Sequence, residues 1–158
     1  VARSIVLNRE QNKTHFHLIY GTRNRKGLAV FKDAERSAMK TMEEMRIKNR
    51  DPYADGQCLF NIPEAKPEDL YYTDLRKRYS EWSKKKLIRI LNKNDEHSYY
   101  SLYDAIMIEP LTWETDLKDW LTELRDMNKI EFVGFTTGQR ALRLNENNRI
   151  KVLQPGNL

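Results

Sequence analysis

Between residues 113 and 127 the apolar side chains recur with the period of a helix. Trp113, Leu117, Trp120, Leu121, Leu124 and Met127 fall at i, i+4, i+7, i+8, i+11 and i+14, which is one stripe of a half-buried α-helix. Thr112 is the expected N-cap, with Glu114 and Asp116 in the first turn, where acids oppose the positive end of the helix dipole. Asn128 can take the left-handed conformation that ends the helix. Two helical patterns precede this one. The first starts at Pro67, with Glu68 and Asp69 in its first turn. It carries Leu70, Leu75, Tyr79, Trp82, Leu87, Ile88 and Leu91 on its apolar side, with Ser83 read as either a cap or a mid-helix residue. The polar run 92–96 closes it, and His97 falls in the loop beyond. A short second helix over about 100–109 stops at Pro110.

After the third helix come a strand over 130–135, a turn-prone Thr136-Thr137-Gly138, and a last strand over 149–153. Three helices followed by strand, wing and strand is the order of a winged helix, and the proline break fits the helix–turn–helix inside it. Upstream, residues 3–8 and 14–22 read as strands joined by the polar turn 9–13, a β-hairpin. Phe16, Leu18 and Tyr20 alternate with His17 and Ile19 across the second strand. A helix is expected over 26–48. Its inner positions are Leu28, Phe31, Ala34, Ala38, Met42 and Met45, and its outer ones include Lys32, Arg36, Lys40, Arg46 and Lys48 among Asp33, Glu35 and Glu43. Pro52, Pro63, Pro67 and Gly56 punctuate a stretch without clear period. The expectation is therefore an α+β chain: hairpin and helix over 1–49, a linker over 50–67, and a winged helix over 68–158. An isolated hairpin is marginal, so Phe16, Leu18 and Tyr20 need a partner surface.

Charge separates these parts. Of 158 residues, 28 are Lys or Arg and 23 are Asp or Glu, a net charge of +5. Residues 1–50 hold 12 bases against 5 acids, and residues 81–158 hold 12 against 12. The third helix carries Glu114, Asp116, Asp119, Glu123 and Asp126 against Lys118 and Arg125 off its apolar stripe. Acids on the face that would enter a groove repel phosphate, so base reading by this helix is disfavoured. The wing is the reverse: Arg140, Arg143, Arg149 and Lys151 stand against Glu146 alone, and Lys84, Lys85 and Lys86 add a basic run. Two readings stay open. One is contact with a nucleic-acid backbone through these bases, and the other is a winged helix that binds protein.

The remaining chemistry is sparse. His15 and His17 alternate on a strand with no third ligand at metal spacing. There is no Gly-x-Ser-x-Gly, phosphate-loop or His-Glu-x-x-His pattern, and no catalytic, cofactor or metal residue is expected. Gly21 and Gly27 flank a turn before a helix, where backbone amides beside Arg23, Arg25 and Lys26 can hold an anion. The single cysteine, Cys58, allows no internal disulfide and suits a reducing cytoplasm. No apolar run approaches the roughly 20 residues of a membrane span, and no membrane partner is expected. The start at Val1 suggests part of a longer protein.

The run 16–35, Phe-His-Leu-Ile-Tyr-Gly-Thr-Arg-Asn-Arg-Lys-Gly-Leu-Ala-Val-Phe-Lys-Asp-Ala-Glu, resembles the late part of the three-Cys-motif partner family. The matching positions are Thr22, Lys26, Gly27, Leu28, Val30, Phe31, Lys32 and Asp33. The resemblance implies a chain that closes a Rossmann-like methyltransferase domain and ends in a winged-helix-like region. It implies S-adenosylmethionine bound upstream, and it transfers no cofactor residue to this chain.

Overall fold

The computed structural model describes residues 1–50, 69–144 and 147–153. They mix helix and strand: β1 (Ala2–Leu7), β2 (Thr14–Tyr20), α1 (Arg25–Arg50), α2 (Leu70–Leu91), β3 (Glu96–Ser98), α3 (Tyr99–Ile106), α4 (Glu114–Asp126), β4 (Ile130–Val133) and β5 (Arg149–Val152). Among the described residues, four helices and two small sheets make an α+β arrangement. It divides into two compact units, Val1–Arg78 and Tyr79–Leu158, with the division inside α2. The expected linker, Cys58, and the helix start at Pro67 and Glu68 lie outside the described residues.

In the first unit β1 and β2 form the expected antiparallel hairpin, with Ser4 opposite Leu18 and Val6 opposite Phe16. Asn8 shapes its turn, because its Oδ1 accepts from the amides of Glu10 and Gln11 at 2.9 and 2.8 Å. β1 is largely buried, whereas Phe16, Leu18 and Ile19 of β2 are 50, 48 and 68% exposed. Tyr20 of the expected β2 face stacks on Phe31 of α1 at 4.7 Å.

The buried line of α1 differs from the expected one. Leu28, Lys32, Glu35, Met39 and Arg46 point inward, while Ala34, Ala38 and Met45 are exposed. The charged residues tolerate burial because they are paired. Lys32 Nζ donates to Glu35 one turn away. Arg46, fully buried, donates to the carboxylate of Asp69, to the carbonyls of Asn8 and Gln11, and to Asn12 Oδ1. Its guanidinium also sits 5.6 Å above the Tyr71 ring. One side chain thereby joins α1, the hairpin turn and the residue that opens α2.

The second unit holds the later part of α2, α3, α4 and a three-stranded antiparallel sheet of order β3-β5-β4. Leu87, Leu91, Leu102, Ile106, Leu117, Leu121 and Ile150 are fully buried, each worth about 1.5–3 kcal/mol against exposure. The α4 stripe falls where expected except for Met127, which is 55% exposed. The α2 stripe is corrected. Its buried line runs Leu75, Ser83, Leu87, Leu91, while Leu70 and Trp82 are 73 and 59% exposed. Ser83 is a mid-helix residue whose Oγ lies 2.8 Å from Thr112 Oγ1.

That contact also displaces the expected cap. The N-cap of α4 is Trp113, whose amide donates to the Asp116 carboxylate at 2.7 Å. Before it, Leu111 is fully buried at φ 52°. The left-handed backbone costs about 1–2 kcal/mol, which burial of the side chain offsets. Asn128 takes φ 56° and ends α4 as expected. His97 is not in a loop: it lies in β3 opposite Ile150, and its Nε2 is 3.2 Å from the Leu91 carbonyl and 3.0 Å from that of Asn94. With two carbonyls for neighbours, Nε2 carries the proton.

Candidate nucleic-acid interface

The segment between β4 and β5 is held in shape by one buried amide. Asn148 is fully buried, and its Oδ1 accepts from the Arg143 amide at 2.7 Å and from Gln139 Nε2 at 2.6 Å. Its Nδ2 donates to the Gly134 carbonyl at 3.1 Å. Gly134 has φ +79°, and a Cβ there would lie 1.7 Å from the Asn147 carbonyl oxygen. Only glycine fits that approach. Leu142 is 2% exposed and anchors the segment, while Tyr100 of α3 donates its hydroxyl to the Leu144 carbonyl at 2.8 Å. These contacts push Arg140 and Arg143 outward. Both are exposed, and neither side chain has an ion pair among the described residues.

The other expected bases differ. Lys84 Nζ is 2.6 Å from Glu123 of α4, and Lys86 Nζ is 2.6 Å from Glu109, which is 6% exposed. Arg149 pairs with Glu96 at 2.9 Å. Lys151 is exposed and faces Glu96 and Glu131 across the sheet in register. Lys85 is exposed. The run 84–86 therefore splits: two of its charges are neutralised inside the unit and one faces solvent. An open cleft beside Gly134 and Phe135 contains the Glu96–Arg149 pair, so its cation is already matched.

α4 keeps a negative outer face. Asp119, Glu123 and Asp126 are exposed there. Lys118 is tied to Glu114 at 2.8 Å, and Arg125 to Asp126 at 2.8 Å. Tyr99 donates its hydroxyl to Glu114 at 3.2 Å, and burial with that neighbouring carboxylate raises its pKa far above the ordinary phenol range.

In the first unit Arg23, Arg25 and Lys26 are exposed at the start of α1. The turn uses several of its own donors. Asn24 Oδ1 accepts the Lys26 amide at 2.9 Å, Thr22 Oγ1 accepts the Asn24 amide at 3.0 Å, and the Asn24 carbonyl accepts from Leu28 at 3.1 Å. Gly27 is required for packing, because a Cβ there would lie 2.9 Å from Thr22 Oγ1. His15 is exposed beside Phe16. No group of three or more His, Cys, Asp or Glu poised to hold a metal occurs among the described residues. No helix among them is long and apolar enough to cross a membrane.

Sequence reasoning missed three features here: the role of Asn148 in ordering the segment between β4 and β5, the neutralisation of Lys84 and Lys86, and the exposure of Trp82. The first two depend on contacts 5 to 39 residues away along the chain. Only the third left a trace, in the i+4 spacing of Ser83, Leu87 and Leu91. Compared with family models, curated proteins and solved structures, the chain gives no match.

Proposed function

We propose that the chain is a non-catalytic interaction module whose second unit is a winged helix. The wing touches the phosphate backbone of nucleic acid, and α4 does not read bases. Support for the winged helix comes from the order α2-β3-α3-α4-β4-β5 and the central place of β5 in the sheet. The observation that carries the contact is the separation of charge. Arg140 and Arg143 are exposed without an acidic partner among the described residues, while the outer side of α4 is acidic. Lys151 is the third wing contact. Lys84, Lys86 and Arg149 are held by Glu123, Glu109 and Glu96 and add little. The exposed bases Arg23, Arg25 and Lys26 form the contact of the first unit.

Such a module binds without sequence preference, because phosphate contacts carry no base information. The three wing contacts alone contribute about −2.7 to the slope of log K against log salt. The test is anisotropy of several labelled duplexes at low salt. Arg140→Ala with Arg143→Ala weakens all of them equally and flattens the slope by about 1.8 units. Absence of binding at low salt, or a loss confined to one sequence, overturns the reading.

A second reading is favoured by β2. Phe16, Leu18 and Ile19 are exposed on both faces of that strand, as befits a strand meant for a covered sheet. In this reading, which the family resemblance suggests, the first unit closes a larger methyltransferase-like α/β domain that binds S-adenosylmethionine through upstream residues. The codons before Val1 test it: a start codon directly upstream with no further domain removes it.

A further inference from the structure

The tryptophan of α2 lies outside the buried line of the second unit. Trp82 is 59% exposed in the middle of a well-formed helix. At 100° per residue, the buried line Ser83, Leu87 and Leu91 spans about 80° of the helix circumference. Trp82, Lys85 and Arg89 fall together within about 60° on the opposite side. All three are exposed, and Lys93 is exposed in the turn just beyond the helix. None of Lys85, Arg89 or Lys93 has an ion pair among the described residues. The other lysines of this stretch, Lys84 and Lys86, are the ones that pair inward with Glu123 and Glu109. The outward face of α2 therefore presents one large aromatic ring followed by three open cations. Glu81 is an acid beside it, and beyond Lys93 lie exposed Asp95 and Glu96, the latter held by Arg149.

We infer that this face binds single-stranded nucleic acid, with Trp82 stacking on an unpaired base while Lys85, Arg89 and Lys93 follow the phosphates. An exposed ring next to a row of cations is complementary to a ligand that carries both a flat π-face and a regular negative charge. A duplex offers the charge but keeps its bases stacked away from the ring. An anionic membrane offers the charge, but an interfacial helix needs a broad apolar face. Here Trp82 is the sole apolar residue among the four. The inference stands on different residues from the wing contact and does not depend on it.

The experiment is anisotropy of a labelled 20-residue oligothymidylate and a labelled 20-base-pair duplex with the whole chain at low salt. Vesicles containing phosphatidylserine provide a third arm. Trp82→Ala is expected to weaken oligothymidylate binding about 5- to 150-fold, the range seen when a stacking aromatic is removed. Duplex affinity stays within about twofold. Trp82→Phe restores most of the loss, because a ring is kept. Lys85→Ala with Arg89→Ala reduces the salt slope on the oligothymidylate by about 1.4. Trp82 lies outside the buried line of α2, so circular dichroism of Trp82→Ala matches the parent. The inference is overturned if the parent chain does not bind oligothymidylate at low salt. It is equally overturned if Trp82→Ala leaves that affinity unchanged, if it weakens duplex and single strand alike, or if the parent binds vesicles in preference to the oligonucleotide.

Discussion

Replacing Arg46 by alanine removes the contact that organises the first unit. In the intact chain the guanidinium is fully buried and donates to Asp69, Asn8, Gln11 and Asn12. The truncation takes the guanidinium away from an Asp69 carboxylate whose side chain is itself fully buried, and from two turn carbonyls. Breaking a buried pair from one side costs about 3–5 kcal/mol. A unit of this size has a total stability of roughly 4–12 kcal/mol at 0.05–0.15 kcal/mol per residue, so the loss is a large share. Urea unfolding followed by hydrogen exchange at β1 and α1 reads it directly. Arg46→Ala loses most of the protection there, while protection in α4 persists. Arg46→Lys does not rescue, because a single ammonium cannot reach acceptors arranged around a planar fork. Arg46→Met with Asp69→Leu recovers much of the loss, since no buried charge is then stranded. A cost below about 1 kcal/mol for Arg46→Ala, the level of an exposed pair, refutes the reasoning.

Other outcomes follow from the second unit. Gly134→Ala places a methyl on the Asn147 carbonyl and forces a left-handed alanine. It costs at least about 1–2 kcal/mol from the backbone alone, read as a lower urea midpoint with weakened duplex binding. Tyr99 has a pKa raised by burial and by Glu114. Below pH 10 the folded and unfolded chains both keep the phenol proton. Above pH 10 only the unfolded chain releases it, so stability falls by up to about 1.4 kcal/mol per pH unit. Tyr99→Phe removes that slope in alkaline unfolding titrations. Lys84→Ala breaks a half-exposed pair with Glu123 and costs under about 1 kcal/mol, seen as a urea midpoint close to that of the parent chain.

Some elements were legible in the sequence because one local rule decided each of them. The α4 stripe is a clean helical period, and Asn128 ends it at the residue expected. The hairpin turn follows from the polar run 9–13, although Asn8, expected to end the first strand, is the residue that shapes it. Elements decided by distant partners were read differently. Arg46 looks like part of a solvent face until Asp69 and the hairpin turn are brought to it. β3 is three polar or titratable residues with no alternation, and only pairing with β5 makes it a strand. Trp82 was assigned to the core by hydropathy, whereas Ser83 and Thr112 show the small hydroxyl side to be the buried one. For the proposed contact, the excess of bases over residues 136–151 was visible in composition. Which of its charges are open was not, because Glu96, Glu109 and Glu123 reach theirs from other elements.

The most direct test of the proposed wing contact is chemical-shift mapping of backbone amides as a duplex is titrated into the chain at low salt. Shifts centred on Gly138, Arg140, Arg143 and Lys151, with Thr115, Asp119 and Thr122 of α4 unmoved, are the predicted result. Shifts centred on Thr115, Asp119 and Thr122 with a silent wing contradict it.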